Sequence, residues 1–350
     1  MKLNATISID PRTFVFKQPA GTSRGVYTTR QSYYVVITDN TNPHHQGIGE
    51  CAPLPDLSCD SPLRVPDYQE ILREACDMVL LSCEVPYESL RAYPSICFGL
   101  ETALLHYHRH TTALFDTPFS QGEEGIPING LIWMGAYEEM ASRLEDKLDQ
   151  GFRCIKIKIG AIEFEKEMDL IRRVRESFPK EKVQLRVDAN CAFSPDDALH
   201  KLEELAKYDI HSCEQPIKVR QYDALAEICR NSPVAIALDE ELIGIASADD
   251  KQRILDKVIP QYIVVKPSLH GGIYGTEEWI GLARERGIGS WITSALESNV
   301  GLNAIAQLTA HIYGPNIKFP QGLGTGQLFV KNTPMPLEIR GDKLYYEPEN

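Results

Sequence analysis

Two lysines separated by one residue stand near the middle of the chain, in the sequence CIKIKI at 154–159. Regular alternation of two kinds of side chain is typical of a β-strand, in which successive residues point to opposite faces. Lys156 and Lys158 would share one face, and the isoleucines the other. A buried ammonium group needs anionic partners, so the pattern indicates a charged site inside a barrel. The alternative is an exposed edge strand that presents its lysines to water.

Charged side chains also end four later apolar segments. Asp188, Glu214, Asp239 and Lys266 stand at these ends, each about one β/α unit after the last. An acid that begins a loop or caps a helix is the simpler interpretation of any single one. Four in succession instead indicate a shared site, because the active sites of β/α barrels are built at the carboxyl ends of the strands.

Three of these residues are carboxylates from adjacent strands. Asp188, Glu214 and Asp239 offer the oxygen ligands that Mg²⁺ prefers, and Mn²⁺ could substitute. Zinc fits less well, since no histidine or cysteine joins them at strand ends. In a ring of eight strands, Lys158 and Lys266 lie on the second and the sixth, so they should face each other across a ligand. We predict acid–base chemistry on a carboxylate substrate, with the metal stabilising the enediolate charge.

The elements that would position these groups alternate regularly. Helical spacing of apolar residues fills most of the gaps between eight short apolar segments. The segments lie near 126–133, 153–159, 183–189, 210–214, 234–239, 262–266, 289–293 and 316–320. This alternation predicts an α/β fold of the (β/α)8-barrel type. An open doubly wound sheet is the alternative, although no G-x-G-x-x-G sequence follows an early strand.

The chain ahead of these segments has a mixed pattern. We expect a strand at 33–38, a Gly/Pro loop at 47–55, and helices at 67–82 and 95–108. Residues 1–122 are therefore predicted to form an α+β domain, and residues 123–329 the barrel. The tail at 330–350 looks irregular and is expected to return to the first domain.

The composition of the chain disfavours several classes of binding partner. The 350 residues carry a formal net charge of −13, which disfavours nucleic acid and anionic membranes as partners. The start of the chain does not resemble a signal peptide, and no apolar stretch is long enough to span a bilayer. The nine cysteines are scattered without Cys-x-x-Cys spacing, so we expect them to be reduced in a cytoplasmic protein. The sequence leaves the oligomeric state open.

The charged motifs together resemble a known family. Lys-Ile-Lys at 156–158, Glu-Gln-Pro at 214–216, Asp-Glu at 239–240 and Lys-Pro at 266–267 are similar to the muconate-lactonising subgroup of the enolase superfamily. The segments at 98–104 and 47–55 resemble the last helix and the closing loop of its capping domain. The resemblance implies a modified barrel, (β/α)7β, with an α+β capping domain.

The same resemblance implies roles for the charged residues. Asp188, Glu214 and Asp239 would bind Mg²⁺. Lys158 would be the base, Lys266 would be the lysine on the opposite side, and Lys156 would contact the substrate carboxylate.

Two further segments resemble the o-succinylbenzoate synthases within that subgroup, namely SALESNVGL at 294–302 and GLGT at 322–325. This implies dehydration of 2-succinyl-6-hydroxy-2,4-cyclohexadiene-1-carboxylate to o-succinylbenzoate in menaquinone synthesis, a lyase reaction on a small-molecule carboxylate. We expect Asn190, Ser294 and Gly322 to contact the substrate. Arg24 could hold the succinyl carboxylate, although a solvated surface arginine is the simpler interpretation.

Two other functions are weighed against this one. An N-acylamino-acid racemase, or another epimerase with two lysines, would use the same acid–base pair. Relatives that epimerise dipeptides carry Asp-x-Asp at the eighth strand, where this chain has only glycine, leucine and threonine at 322–326. A catalytically inactive barrel is disfavoured because both lysines and all three acids are intact. The histidines at 44–45 and at 106, 108 and 110 lie in the expected capping domain and are interpreted as structural.

Overall fold

The computed structural model describes residues 2–22 and 25–348. Its first part, which we call the cap, is an antiparallel sheet of three strands with three helices. The elements are β1 (Ala5–Thr22), β2 (Gly25–Asp39), β3 (Gln46–Cys51), α1 (Tyr68–Ser82), α2 (Tyr87–Leu90) and α3 (Pro94–Arg109). The sheet follows the order β1-β2-β3. Val35 and Ile37 of β2 share a buried cluster with Leu72 and Val79 of α1, so the inner face of the sheet is the core of the cap.

The predicted loop at 47–55 is wrong in its first half, because residues 47–51 belong to β3. The glycines there serve close packing instead of a turn. A Cβ atom on Gly47 would lie 2.2 Å from the carbonyl oxygen of Ala103, and one on Gly49 would lie 2.0 Å from that of Gly99. Helix α3 can therefore approach the strand only where side chains are missing.

The second part of the chain alternates strands and helices. Its elements up to the middle are β4 (Ile126–Pro127), β5 (Gly130–Ile132), α4 (Tyr137–Asp149), β6 (Cys154–Lys158), α5 (Phe164–Ser177), β7 (Gln184–Asp188), α6 (Pro195–Ala206), β8 (Ile210–Glu214) and α7 (Tyr222–Asn231). The remaining ones are β9 (Ala235–Leu238), a 3₁₀ turn (Glu240–Leu242), α8 (Ala248–Val258), β10 (Tyr262–Val265), α9 (Pro267–His270), α10 (Gly272–Glu285), β11 (Gly289–Ile292), α11 (Asn299–Tyr313), β12 (Leu337–Arg340) and β13 (Lys343–Tyr346). Helix α6 is capped by Ser194, whose side chain accepts a hydrogen bond from the Asp197 N–H.

Strands β5 to β11 form one parallel sheet in chain order. The sheet curls into a barrel that closes through single bridges. Thr293, just beyond β11, pairs with Gly322, and Gln321 pairs with Ile128, just before β5. The predicted barrel with a separate antiparallel capping sheet is therefore confirmed.

Two of the predicted strands differ from the structure. The segment 126–133 is split, because Ile126 and Pro127 pair with β13 while Gly130–Ile132 joins β6. The eighth strand is not at 316–320; its ladder contacts begin at Gln321. Pro320 has no N–H to donate to a ladder, and Phe319 packs instead against Tyr262 and Trp291 across the lower end of the barrel.

The tail is more regular than predicted, since β12 and β13 form an antiparallel hairpin. The Tyr346 hydroxyl in this hairpin lies 2.8 Å from the Thr112 hydroxyl. Just ahead of the hairpin, the chain also contacts the cap: Lys17 N–H donates to the Leu328 carbonyl and Val330 N–H donates to the Val15 carbonyl, both at 2.8 Å.

The core of the barrel confirms the alternation predicted for β6. Ile155, Ile157 and Ile159 are buried in the layer between sheet and helices. On the inner face, below the lysines, Arg186 lies over the rings of Trp291 and Phe319 at 4.5 and 4.3 Å. Arg186 and the aromatic rings thus close the lower end of the barrel, and the predicted acids and lysines lie toward the upper end.

Three histidines of the cap pack against neighbouring groups. His45 stacks on Tyr107 and His110, and His106 Nδ1 accepts a hydrogen bond from the Ile48 N–H. All nine cysteines are free thiols. Across the described residues, no helix combines the length and the apolar character needed to cross a membrane.

Candidate active site

The carboxyl ends of adjacent strands bring the predicted charged residues to one level of the barrel. Lys158 is in register with Asp188 across β6 and β7, and Asp188 is in register with Glu214 across β7 and β8. Asp239 directly follows β9, and Lys266 directly follows β10. We call these residues, together with Lys156, the strand-end cluster.

Lys156 lies at the centre of this cluster. Its Nζ donates to Asp188 Oδ2 and to both carboxylate oxygens of Glu214, each at 3.0 Å. Burial alone would lower the pKa of Lys156, but the charges of Asp188 and Glu214 raise it above its ordinary value. Lys156 is therefore a fixed cation rather than a proton donor or acceptor.

Lys158 has weaker contacts than its neighbour. Its Nζ donates to Asn190 Oδ1 at 3.0 Å and lies 3.5 Å from Asp188 Oδ2. It also lies 5.5 Å from the centre of the Trp133 ring. Asn190 is held in turn, because its N–H donates to Asp188 and its side-chain amide donates to Glu240. Lys158 is thus aimed into the cavity by an amide and an aromatic ring.

Lys266 pairs with a different acid, forming a salt bridge to Asp239 Oδ2. Burial would lower the pKa of Lys266, but Asp239 and its neighbour Glu240 raise it. Lys158 and Lys266 approach the same cavity from strands β6 and β10, four apart in the sheet. The structure thus brings the two predicted acid–base residues into one cavity with separate carboxylate partners.

The strand-end cluster holds three acids and three lysines, but the lysines do not stabilise the three carboxylates equally. Burial, together with the charge of Asp188, raises the pKa of Glu214 well above its usual range. Burial would also raise the pKa of Asp239, although Lys266 holds it below its ordinary value. Asp239 Oδ1 is buried and has no hydrogen-bond partner among the described residues. Both observations favour an additional cation beside these acids.

The donor set fits Mg²⁺ in its chemistry, since Asp188, Glu214 and Asp239 offer only carboxylate oxygens. In the residues described, lysine ammonium groups lie against all three acids, and no three His, Cys, Asp or Glu side chains are arranged to hold a metal ion. The assignment of these acids as metal ligands therefore remains a prediction.

The cavity above the cluster has a volume of about 360 Å³. Lys156, Lys158, Asp188, Asn190 and Lys266 line its lower part. The cap forms its roof with Tyr27 of β2 and with two leucines, Leu54 and Leu57. These leucines belong to the segment at 52–57 after β3, which we call the roof segment. The second half of the predicted loop at 47–55 thus reaches the site, because Leu54 belongs to it.

The predicted substrate contacts Ser294 and Gly322 line this cavity, as Asn190 does, and both also have structural roles. The Ser294 hydroxyl lies 2.6 Å from that of Thr325 and donates to the Gly322 carbonyl at 3.3 Å. A Cβ atom on Gly322 would lie 2.0 Å from Thr293 Oγ1, so only glycine permits the bridge that closes the barrel. The predicted Arg24 lies outside the described residues.

Sequence reasoning missed several residues around the cavity. Trp133 follows the end of β5, and Glu240 follows Asp239 at the end of β9, so their position at strand ends was an available signal. Arg30 does not stand at a strand end of the barrel, so the sequence carries no signal of its role. It is 2% exposed and donates to the carbonyl groups of Pro53 in the roof segment, at 2.6 Å, and of Leu296 after β11, at 3.2 Å.

Comparisons with known proteins identify the family of this chain. The family model described as Enolase C-terminal domain-like matches residues 139–338. An o-succinylbenzoate synthase from Desulfotalea psychrophila is 44% identical over 362 residues, covering 94% of this chain and 96% of that protein.

Solved structures extend the comparison to the whole fold. The crystal structure of MenC from Desulfotalea psychrophila has a TM-score of 0.81 at 39% identity, covering 98% of this chain and 99% of that one. The L-Ala-D/L-Glu epimerase from Bacillus subtilis has a TM-score of 0.82 over 99% and 97% of the two chains, but at 21% identity it shows the fold alone. The chain therefore belongs to the enolase superfamily and, within it, to the o-succinylbenzoate synthase family.

Proposed function

We propose that this chain catalyses the Mg²⁺-dependent syn dehydration of 2-succinyl-6-hydroxy-2,4-cyclohexadiene-1-carboxylate to o-succinylbenzoate, in menaquinone synthesis. The observation that carries the proposal is the pair Lys158 and Lys266 in one cavity, in a chain 44% identical to an o-succinylbenzoate synthase over nearly its full length. The reaction removes a proton next to the ring carboxylate and a hydroxyl group from the adjacent ring position, so that water leaves and the ring becomes aromatic.

Asp188, Glu214 and Asp239 would hold the metal in this proposal. When bound, Mg²⁺ would stabilise the second negative charge that develops on the substrate carboxylate as its α-proton is lost. Lys156 is a permanent cation beside the same acids. It would help to attract and orient the anionic substrate in a chain whose net charge is −13.

Lys158 would carry both proton transfers. In its neutral form it would take the proton from the carbon next to the carboxylate, and it would then return that proton to the departing hydroxyl on the same side of the ring. This role suits a lysine with loose contacts: Asn190 Oδ1 at 3.0 Å and Asp188 Oδ2 at 3.5 Å orient its Nζ without enclosing it.

Lys266 would act by its charge on the other side. Because its salt bridge to Asp239 keeps it protonated, it is suited to stabilise the enediolate electrostatically rather than to accept a proton.

We propose that the two predicted parts of the chain have different roles in the reaction. Residues 123–329 would supply the reacting groups, and residues 1–122, with the tail at 330–350, would close the cavity and exclude water. The nine free thiols support a cytoplasmic location.

The experiment is a turnover assay with the purified protein, the hydroxycyclohexadiene carboxylate and Mg²⁺. Formation of the aromatic product should change the ultraviolet absorbance. Chelation should abolish the change, and added Mg²⁺ or Mn²⁺ should restore it. A parallel assay offers an N-acylamino acid as the substrate. Rapid racemisation there, with no aromatic product in the first assay, would reject dehydration and favour a racemase with the same lysines.

A further inference from the structure

The cavity extends beyond the strand-end cluster toward the first helix of the barrel. Its lining continues from Lys158 past Trp133 to Arg143 on α4. A second cavity of about 230 Å³ adjoins it and shares Trp133 and Arg143, together with Leu328 and the amide side chains of Gln18 and Gln327. One continuous cavity therefore joins the reacting end of the site to a guanidinium group.

The cations that line the cavity differ in how their charge is balanced. Lys156, Lys158 and Lys266 each lie within 3.5 Å of a buried carboxylate oxygen of the strand-end cluster. Lys147 of α4 also lines the cavity, and its Nζ donates to Gln150 Oε1 at 3.0 Å. The acid nearest to Arg143 is Glu139, whose Oε2 is 3.7 Å from Nη2 and whose side chain is 60% exposed. An exposed pair at that distance is weak, so the charge of Arg143 remains available to a ligand.

The backbone nevertheless holds Arg143 in position. Its Nη1 donates to the carbonyl oxygens of Trp133 and Met134, at 3.2 and 3.4 Å. The side chain is 29% exposed, which is enough for a ligand to reach it. A guanidinium fixed through one nitrogen still offers donors on its other edge, in the planar geometry that matches a carboxylate.

We propose that Arg143 binds the terminal carboxylate of the succinyl arm, and that the arm runs past Trp133. This proposal rests on the proposed function, because the substrate there carries two carboxylates. The ring carboxylate belongs with the strand-end cluster, which leaves the second one without a cation. Trp133 connects the two ends: its ring is 5.5 Å from Lys158 Nζ, and its carbonyl accepts from Arg143. Gln18 and Gln327 would supply neutral donors beside the guanidinium.

The test compares two ligands that differ only in the terminal carboxylate. The dissociation constants (Kd) of o-succinylbenzoate and of 2-butanoylbenzoate, which lacks that carboxylate, are measured by titration calorimetry on the Mg²⁺-loaded protein. The wild type should bind the dicarboxylate about 10- to 100-fold more tightly, as expected for a charge-assisted hydrogen bond. Arg143→Gln should remove this preference and leave the Kd of 2-butanoylbenzoate within about twofold.

Two further variants separate recognition from mere positioning of the loop after β5. Arg143→Lys keeps the charge and should retain part of the preference. Lys166→Gln removes an exposed charge from α5, outside the cavity, and should change neither constant. If Arg143→Gln weakens both ligands equally, Arg143 only positions the loop and the proposal falls. It falls equally if Arg143→Gln leaves the preference intact.

The outcome is independent of the turnover assay. A wild-type protein that makes no o-succinylbenzoate, yet prefers the dicarboxylate through Arg143, would overturn the proposed function and keep the subsite. A protein that dehydrates its substrate, but whose preference survives Arg143→Gln, would keep the function and overturn the subsite.

Discussion

The strand-end cluster and the contact between cap and barrel handle buried charge in opposite ways. In the cluster, charged side chains face one another: Lys156 contacts Asp188 and Glu214, and Lys266 contacts Asp239. The three lysines and Asp188 line the wall of a cavity, where a ligand can alter the balance among the charges. Such a cluster is suited to chemistry, because its charged groups can exchange their present contacts for contacts with a ligand.

At the contact between cap and barrel, charged side chains are instead hydrogen-bonded to backbone N–H and carbonyl groups. Arg30 donates to backbone carbonyls of the roof segment and of the segment after β11. Glu50 of β3 accepts from the N–H groups of Ser298 and Gly301 at the start of α11. Glu101 of α3 accepts from the N–H groups at the start of α10. We call these three residues the cap–barrel clamp.

The partner of a buried charge, either a backbone group or another side chain, determines what that charge can do. A carboxylate at the start of a helix is stabilised by N–H groups that cannot move or titrate, so it fixes one element against another. A carboxylate beside a lysine keeps a partner whose flexible side chain can turn to another contact. Changes in the cluster should therefore alter rates, and changes in the clamp should alter stability and the shape of the cavity.

The largest expected effect is on Lys158. Lys158→Ala should lower kcat by at least the upper end of the usual range for a general acid–base group, about 10² to 10⁴, because one residue would serve both proton transfers. Unfolding in denaturant should change by less than about 1 kcal/mol, since Asp188 keeps Lys156 as its partner. Lys158→Arg should not restore activity, because a guanidinium stays protonated. Retention of most of the dehydration rate by Lys158→Ala would contradict the mechanism.

The next effect concerns Lys266, whose removal should affect both rate and stability. Lys266→Ala should lower kcat by about 10² to 10³, as a fixed charge near the developing enediolate is lost. It should also lower the free energy of unfolding by about 3 kcal/mol, because Asp239 is left buried without its cation. Steady-state kinetics and denaturant unfolding measure the two effects.

Lys251 is the matched control for this variant. Lys251 forms a comparable salt bridge with Glu278, is 1% exposed and lies outside the cavity of the site. Lys251→Ala should lower stability by a smaller amount, because Arg91 remains 3.4 Å from Glu278, while kcat stays within about twofold. Equal losses of kcat in the two variants would mean that Lys266 contributes only to folding.

The contrast between the two regions also explains which parts could be predicted from the sequence. The cluster follows from local patterns: the alternation of lysine and isoleucine fixes the inner face of β6, and each later charge ends a recognisable strand. The family prediction made from these motifs is confirmed, and so is the barrel.

The clamp could not be predicted in this way, because its partners are remote in sequence. Arg30 meets Leu296, 266 residues later, and Glu50 meets Ser298, 248 residues later. No local pattern encodes such a contact. The error at 47–51 has the same origin, since Gly47 and Gly49 make room for a helix about 50 residues away.

A smaller effect is expected when the clamp is weakened at Arg30. Arg30→Lys keeps the charge but loses the fork that reaches several carbonyls, so buried acceptors remain unpaired and stability should fall by about 2 kcal/mol. KM should rise more than kcat falls, because Leu54 and Leu296 at the cavity wall lose their anchor. Denaturant unfolding and steady-state kinetics measure both, with exposed Arg73→Lys as the control. A fall in kcat with KM unchanged would place Arg30 with the reacting groups.

The smallest effect concerns the pH dependence that Glu101 gives to the clamp. Burial raises the pKa of Glu101 to about 7 from its ordinary 4.5, against the hydrogen bonds of Tyr87 and the α10 N–H groups, which lower it. The folded state therefore holds this proton more tightly than the unfolded state. The associated stability is complete below about pH 4.5 and is lost as the pH rises through 7.

Comparison with Glu101→Gln isolates the contribution of Glu101 to the pH dependence of stability. Between pH 4.5 and 8, the wild type should lose about 1 to 3 kcal/mol more of its free energy of unfolding than Glu101→Gln, in which no group titrates at this position. Denaturant unfolding at several pH values measures the two slopes, and exposed Glu70→Gln on α1 should match the wild type. If Glu101→Gln instead retains the slope of the wild type, the N–H groups at the start of α10 outweigh burial. Glu101 would then be charged throughout this range, as a fixed anion of the clamp.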